Sequence, residues 1–332
     1  MSHLQPILAG SLETFFDRVD DFFSSLAGIG WGWLALALLF FLTYLSIRSR
    51  AYFHVLRAAY PTERFQFRYV WGAYIAAYGF NQVVPARGGD LVRLVLTKSR
   101  VPNSSYPAVG SSFLVEGVFD LTLGVLILSF AFTQGAFPKP PDFSKLEAFD
   151  LSYLAGHPRF TLFLLTALAV AGLVAFALLS ARVKAFWARV RQGLTILRDR
   201  RRYFREVWLV QLGGWVFRFA AFWFLLEAFR VGGSVRNVLL VLGVNAVAAI
   251  VPFTPGGAGV QQALLVKVFA GAAPGATVAA YSVGQQIAIG AFTFGLGFLL
   301  LVALFLIRTL KEVIHQGREE REAERAARAA VG

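Results

Sequence analysis

Long uncharged apolar runs alternate along this chain with short basic connections. Phe22–Ile47, Phe160–Ala181, Asn237–Val266 and Val268–Ile307 contain no charged residue. Each is long enough to cross a hydrocarbon core, which takes roughly 20 apolar residues in a helix. A soluble helical core does not tolerate uncharged runs of this length. The pattern predicts an all-α polytopic membrane protein.

Two apolar segments are broken in the same way. Asn81-Gln-Val-Val-Pro85-Ala-Arg87-Gly88-Gly89-Asp90 interrupts one, and Ala248-Ala-Ile-Val-Pro252-Phe-Thr254-Pro255-Gly256-Gly257-Ala-Gly259 interrupts the other. Both read as an apolar pair, a proline, a short step, two glycines and then a helix-compatible run. Pro/Gly interruptions at corresponding places in two halves of a membrane protein point to a binding site near the bilayer midplane.

Charge then sets the topology. Residues 48–68 hold five Lys and Arg, 87–100 hold four, 182–205 hold nine against one acid, and the tail from Arg308 holds six. The positive-inside rule assigns 48–68, 182–205 and the tail to the cytoplasm. If Tyr69–Ala86 crossed fully, the nine-cation loop would fall outside. If it enters and leaves on one side, every basic connection falls inside. The sequence therefore predicts a re-entrant hairpin at Pro85–Asp90. In the second half, Asn237–Ile250 and Val260–Ala270 flank Pro252–Gly259. Limbs of this size rise only about 21–24 Å, short of a roughly 30 Å core. A second hairpin, entering from the other face, is expected. The halves, about 31–133 and 160–307, would be inverted copies within a transmembrane domain spanning 31–307.

The flanks differ from this domain. In residues 1–30, Leu12, Phe15, Phe16, Val19, Phe22, Phe23 and Leu26 recur at helical spacing opposite Glu13, Asp17, Asp20 and Asp21. This predicts an amphipathic helix lying at the interface or packed on the bundle. Residues 308–332 alternate Glu and Arg among alanines, which predicts a charged, solvated, cytoplasmic helical tail. The loop 182–205 interleaves Phe186, Trp187, Val190, Leu194 and Leu197 with arginines, as a helix against anionic headgroups does.

Composition adds little to the class: 57% hydrophobic residues and a mean hydropathy of +0.61, against roughly 45–50% apolar in soluble domains. The net charge of +13 resides in the connections, so it reports topology and not a nucleic-acid partner. There are no cysteines, which excludes thiol chemistry and disulfides. His3, His54, His157 and His315 are scattered, so no metal site or cofactor is expected.

The candidate chemistry sits at the interruptions. Gly88 and Gly89 open a helix with Arg87 before them and Arg93 a turn later. Free amides at a helix N-terminus favour an anion, and a guanidinium matches phosphate. The alternative is that Arg87 and Asp90 pair and the glycines only turn the chain. Thr254, Gly256, Gly257 and Gly259 offer a second cradle without a cation, or a tight turn. Glu116 and Asp120 lie four apart on one helix face. Carboxylates inside a membrane face the interior or a wet cavity; these could pair with Arg87 or Arg93, take a proton, or bind a cation. Arg218 lies inside an apolar span, and Glu227 is on its opposite face. Asn81, Gln82, Asn245, Gln261, Gln262, Gln285 and Gln286 could line a polar groove, or hold helices together.

The run Gly79-Phe-Asn81…Pro85-Ala-Arg87-Gly88-Gly89-Asp90-Leu-Val-Arg93 resembles the first signature of the lysylphosphatidylglycerol synthase transmembrane-region family, the flippase-like domain. Ser111-Ser112-Phe-Leu-Val-Glu116-Gly-Val-Phe-Asp120 resembles its next block, and Pro252-Phe-Thr254-Pro255-Gly256-Gly257-Ala-Gly259-Val260 its late block. The resemblance covers roughly 30–305. It implies an integral-membrane fold with re-entrant helices and a role in moving lipid between leaflets. The soluble aminoacyl-transferase domain that follows this region in the synthases is not expected here. The chain departs from the family pattern at Gly117, where Arg is usual after Glu, at Gln261, where Glu is usual, and at Gln285-Gln286, where Arg is often found.

The expectation is a flippase or scramblase-like lipid translocator in a prokaryotic cytoplasmic membrane, and not an enzyme. An anionic phospholipid or polyprenyl-phosphate lipid would bind at Asn81, Arg87, Gly88, Gly89, Asp90, Arg93 and the Thr254–Gly259 cradle. Glu116, Asp120 and Arg218 would form an intramembrane charge network. The alternatives are a non-transporting partner of a lipid-modifying enzyme, and a membrane-embedded lipid enzyme.

Overall fold

The computed structural model describes residues 28–84, 87–133, 184–248, 260–270 and 273–306. Every regular element among the described residues is helical. In order they are α1 (Trp31–Ala59), α2 (Phe67–Val83), α3 (Gly88–Arg100) and α4 (Tyr106–Thr133). Next come α5 (184–193), α6 (Arg200–Ala228), α7 (Val235–Ala248), α8 (Val260–Val268) and α9 (Gly275–Leu306). Helices α1, α6 and α9, and Tyr106–Phe130 of α4, are long and apolar enough to cross a membrane. The all-α polytopic membrane class predicted from the uncharged runs is what the chain adopts. The predicted N-terminal helix, the Phe160–Ala181 run, the Pro252–Gly259 turn and the charged tail lie outside the described residues.

The first interruption is built as backbone rules require. Val84, the residue before Pro85, is extended at φ −91°, ψ 123°; a following proline disfavours the helical region there. The chain re-forms a helix at Gly88. A side chain on Gly89 would meet the Ala77 carbonyl oxygen and lie 2.8 Å from the Asn81 nitrogen, so only glycine lets α3 fold back this closely on α2. Helices α2 and α3 form an antiparallel hairpin whose free ends lie together: the Arg100 guanidinium sits over the Tyr69 ring at 5.1 Å. Both ends abut the end of α9, where Arg100 donates to the Phe305 carbonyl at 3.3 Å. The Tyr60 hydroxyl, just past α1, accepts from the Ser105 amide at 3.3 Å. The connections before α2 and after α3 therefore share one end of the bundle.

Helices α7 and α8 open toward the other end. The Gly30 amide, ahead of α1, donates to the Ala228 carbonyl at 2.9 Å, which marks that end. Helix α7 starts just beyond it, where Asn237 donates to the Gly232 carbonyl at 2.9 Å. Helix α8 ends just before α9 begins, and Phe229 meets Tyr281 of α9 edge-on at 5.9 Å.

The antiparallel pair α1 and α6 is cemented by aromatics: Phe40 lies 5.2 Å from Phe224, and Phe41 6.4 Å from Phe222. The α2–α9 crossing uses small residues instead. A Cβ on Gly297 would lie 2.8 Å from the Ala76 Cα. Close backbone approach through small residues is how helices pack where lipid removes the hydrophobic drive.

Within residues 48–68, which charge assigns to the cytoplasm, α1 continues to Ala59 and buries Arg48 at 7% exposure. A cation at the end of an apolar run looks like a membrane boundary. Here the helix continues, and the residues around Arg48 instead form an inward face: Tyr44, Arg48 and Tyr52 recur every four positions and so align on one side.

Helix α5 touches the body through its last turn, where the Val190 carbonyl accepts from the Ser111 hydroxyl at 2.9 Å and Gln192 donates to the Ala59 carbonyl at 3.1 Å. Phe186 and Trp187 on its first turns are half exposed.

Candidate functional site

The α2–α3 hairpin and helices α7 and α8 meet at a cavity of about 570 Å³. The hairpin contributes Asn81, Gln82, Arg87 and Asp90; α7 contributes Asn245 and α8 contributes Gln261. Helices α1, α4, α6 and α9 complete the wall. Helix α4 presents Glu116, Gly117, Asp120 and Gly124 along one stripe, as residues three, four and seven apart must.

Glu116 and Asp120 are both paired. Arg93 of α3 donates from both terminal nitrogens to one Glu116 oxygen at 3.0 Å. Its guanidinium is enclosed by three rings, at 3.6 Å from the Tyr52 centroid and 4.3 Å from those of Tyr74 and Phe113. Asp120 is held by Arg48 in a two-pronged contact, both bonds 2.7 Å. Arg48 also donates to the Tyr74 hydroxyl at 3.0 Å. The pairs differ in setting. Side-chain exposure is 9% and 6% for Arg93–Glu116, against 8% and 44% for Arg48–Asp120. The first is a sealed tie; the second presents its carboxylate to the cavity.

The sequence candidates are therefore sorted. Of the two partners proposed for Glu116 and Asp120, Arg93 takes Glu116 and Arg87 takes neither. Asp120 takes Arg48, which sequence reading assigned to topology alone; the four-residue spacing of Tyr44, Arg48 and Tyr52 was the available signal. Asp90 does not pair with Arg87 but accepts from the Asn81 carboxamide at 3.1 Å. The other end of that carboxamide accepts from the Gly89 amide at 2.8 Å, and the Asp90 amide donates to the Arg87 carbonyl at 2.9 Å. Asn81 thus caps α3 from across the hairpin, occupying one of the amides expected to meet an anion. Thr254, Gly256, Gly257 and Gly259 lie outside the described residues.

Two arginines remain uncommitted to carboxylates. The Arg87 side chain is exposed, with no hydrogen bond or ion pair among the described residues, and the backbone there is left-handed at φ 58°. A non-glycine residue there costs on the order of 1 kcal/mol or more. Arg218 of α6 lies 4.6 Å from the Trp215 ring and 5.5 Å from the Tyr44 ring, and donates to the Tyr44 hydroxyl at 3.4 Å. No carboxylate among the described residues reaches it. Glu227, predicted on the opposite face, instead accepts from the Gly233 amide at 2.9 Å.

Of the carboxamides, Gln82, Asn245, Gln261, Gln285 and Gln286 line the cavity. Gln262 donates to Gln286 at 2.6 Å and so ties α8 to α9.

The profile of the lysylphosphatidylglycerol synthase TM region family matches residues 7–297. The chain belongs to this family. Its architecture and its family make it an integral, lipid-related membrane protein. A 137-residue stretch is 31% identical to Glycosyltransferase AglD of Haloferax volcanii, covering 40% of this chain and 22% of that protein. The match thus spans about a fifth of that relative's length.

Proposed function

We propose that this member of the lysylphosphatidylglycerol synthase TM region family is a translocator, not an enzyme. It moves a phosphate-bearing lipid between leaflets through the cavity between the two hairpins. The observation that carries this reading is the pair of cavity arginines, Arg87 and Arg218, with no carboxylate partner among the described residues. Four guanidiniums meet three carboxylates on the cavity wall. Glu116 and Asp120 are consumed by Arg93 and Arg48, so the arginines left over seek an anion. Arg87 is exposed and Arg218 half-buried at the cavity, and a phosphate diester supplies two oxygens that a planar guanidinium fork matches. The left-handed Arg87 supports the same reading, since a strained non-glycine residue persists where its side chain is used. Access alternates as the hairpins tilt about the site, each entering the bilayer from one face without crossing it. Basic connections set the orientation, with the C-terminus in the cytoplasm.

The test is leaflet exchange of tail-labelled fluorescent phosphatidylglycerol in proteoliposomes. Arg87→Gly keeps the left-handed turn without strain, so folding is preserved. It is expected to slow exchange about 10–100-fold, the loss of one charge-assisted hydrogen-bonding group at about 1.5–3 kcal/mol. Arg218→Gln is expected to do the same. Wild-type exchange no faster than in protein-free liposomes overturns the reading.

Topology is checked separately, and the absence of native cysteine makes it clean. Single cysteines at Thr62 and Pro102, exposed on either side of the first hairpin, are expected to label from the same face of sealed vesicles. One at the exposed Val235 labels from the opposite face. Thr62 and Pro102 labelling from opposite faces would show that the first hairpin crosses the membrane.

A second reading has one observation behind it. A protein named as a glycosyltransferase shares a stretch with this chain, which favours a partner of a lipid-modifying enzyme. Co-purification with such an enzyme, and unchanged phenotype on Arg87→Gly, would support it over translocation.

A further inference from the structure

The cavity is chemically two-sided. Its cations come from α1, α3, α6 and Arg87 at the first hairpin's tip. Among the described residues, the wall built by α7, α8 and α9 carries no charge. It presents the carboxamides Asn245, Gln261, Gln285 and Gln286 instead.

Gln285 is the telling residue. It is 1% exposed, it lines the cavity, and neither its amide nitrogen nor its oxygen has a partner among the described residues. The Asn245 oxygen has none among them either. Buried polar atoms are almost always satisfied, and an exception calls for water or a guest. A carboxamide offers donors and an acceptor side by side. A hydroxyl, itself donor and acceptor, is its complement, and neighbouring hydroxyls on a ring or chain engage both ends at once. An ammonium headgroup would want a carboxylate free of cations; Glu116 is paired with Arg93 and Asp120 with Arg48, while Asp90 accepts from the Asn81 side chain. A quaternary ammonium would leave the carboxamides unsatisfied. The volume, about 570 Å³, falls in the roughly 300–1,000 Å³ range that encloses a drug-sized ligand, well beyond a bare phosphate.

We infer that the cavity takes a phospholipid whose headgroup carries a hydroxyl-rich ring or chain beyond its phosphate. The phosphate lies on the arginine wall, and the hydroxyls lie on Gln285, Gln261 and Asn245. This rests on the translocation reading for its transport consequence, but the binding preference stands by itself.

The experiment compares tail-labelled fluorescent phosphatidylinositol, phosphatidic acid and phosphatidylcholine in proteoliposomes, for wild type and Gln285→Leu. Replacing an unpartnered buried amide by an apolar group of similar size leaves the fold intact. Native mass spectrometry of the same lipids reads binding independently of transport. Wild type is expected to move and bind phosphatidylinositol about tenfold better than phosphatidylcholine. Gln285→Leu is expected to erase about tenfold of the phosphatidylinositol rate and affinity, while phosphatidic acid changes less than about twofold. Asn245→Leu, on a different helix, shifts the same ratio in the same direction. An unchanged phosphatidylinositol to phosphatidic acid ratio in both variants, with exchange still above that of protein-free liposomes, overturns the inference and leaves translocation standing. Selective binding lost in Gln285→Leu without any exchange upholds the inference and overturns translocation. Neither selective binding nor exchange overturns both.

Discussion

Glu116→Leu is expected to destabilise the protein by about 3–5 kcal/mol, the cost of breaking a buried ion pair by removing one partner. The tie it cuts is the most enclosed charge contact at the cavity, with both side chains less than a tenth exposed. Arg93 would keep its three aromatic neighbours, and cation–π contacts contribute about 2 kcal/mol when desolvated. That does not replace a carboxylate inside a membrane. The double variant Arg93→Met with Glu116→Leu is expected to recover most of the loss, because packed apolar residues substitute for a buried pair at little or no cost. Asp120→Leu should cost less, since its carboxylate is 44% exposed and water can reach the Arg48 it leaves behind. Thermal unfolding in detergent, followed by retention of the monodisperse species, ranks the four proteins. Glu116→Leu within about 0.5 kcal/mol of wild type would show that the pair does not hold the first hairpin, and equal losses in the single and double variants would locate the cost in packing.

How much of this was legible in the sequence divides by the range of the physics. The first hairpin was legible because local rules write it. Pro85 forces Val84 out of the helix, and Gly89 is the residue that permits the tight return. The start of α7 and the end of α8 fall within a few residues of the limits expected from sequence. Helix α9 was legible from a run that could only be a span. The cavity was legible in part. Glu116 and Asp120 announced themselves as carboxylates inside apolar surroundings, and their shared face follows from a four-residue spacing.

Their partners were not fully legible, because pairing across helices leaves no spacing in the chain. Arg48 stood where a membrane boundary is expected, and nothing local distinguishes a boundary cation from a buried one except the aromatic residues four positions to either side. The box around Arg93 draws Tyr52, Tyr74 and Phe113 from three helices, so no pattern in sequence relates them. Gln285 illustrates the same limit. One glutamine in an apolar helix most often joins two helices, as Gln262 does with Gln286. Only the convergence of α7, α8 and α9 on one wall shows Gln285 lining the cavity with neither amide atom engaged among the described residues. Asn81 shows the reverse case: it looked like a ligand and is spent capping α3.

Gly79→Leu is expected to have the second large effect, and a graded series of glycines isolates its cause. A side chain at position 79 of α2 would meet the Thr293 carbonyl oxygen of α9 and come within 2.7 Å of the Phe294 Cα. These are backbone atoms, so neither can move without shifting a whole helix. Overpacking typically costs about 1–3 kcal/mol, and more where nothing yields; Gly79→Leu belongs at or above the upper end. Gly297→Leu, which drives into Ala76 from the other helix at 2.8 Å, should match it. Gly72→Ala meets only the tip of Leu304, a flexible end that can rotate away, and should cost far less. Gly117→Ala, on the cavity stripe of α4, meets nothing within 4 Å and should be neutral to folding. The consequence for function follows from the same geometry. The α2–α9 crossing fixes where the first hairpin's tip, and with it Arg87, stands relative to Gln285. Separating these helices pulls apart the two walls of the cavity, so leaflet exchange should fall with stability in Gly79→Leu and Gly297→Leu but not in Gly72→Ala. Gly79→Leu as stable and as active as wild type would mean that the two helices do not pack at backbone distance, and that the wall facing Arg87 is set by some other contact.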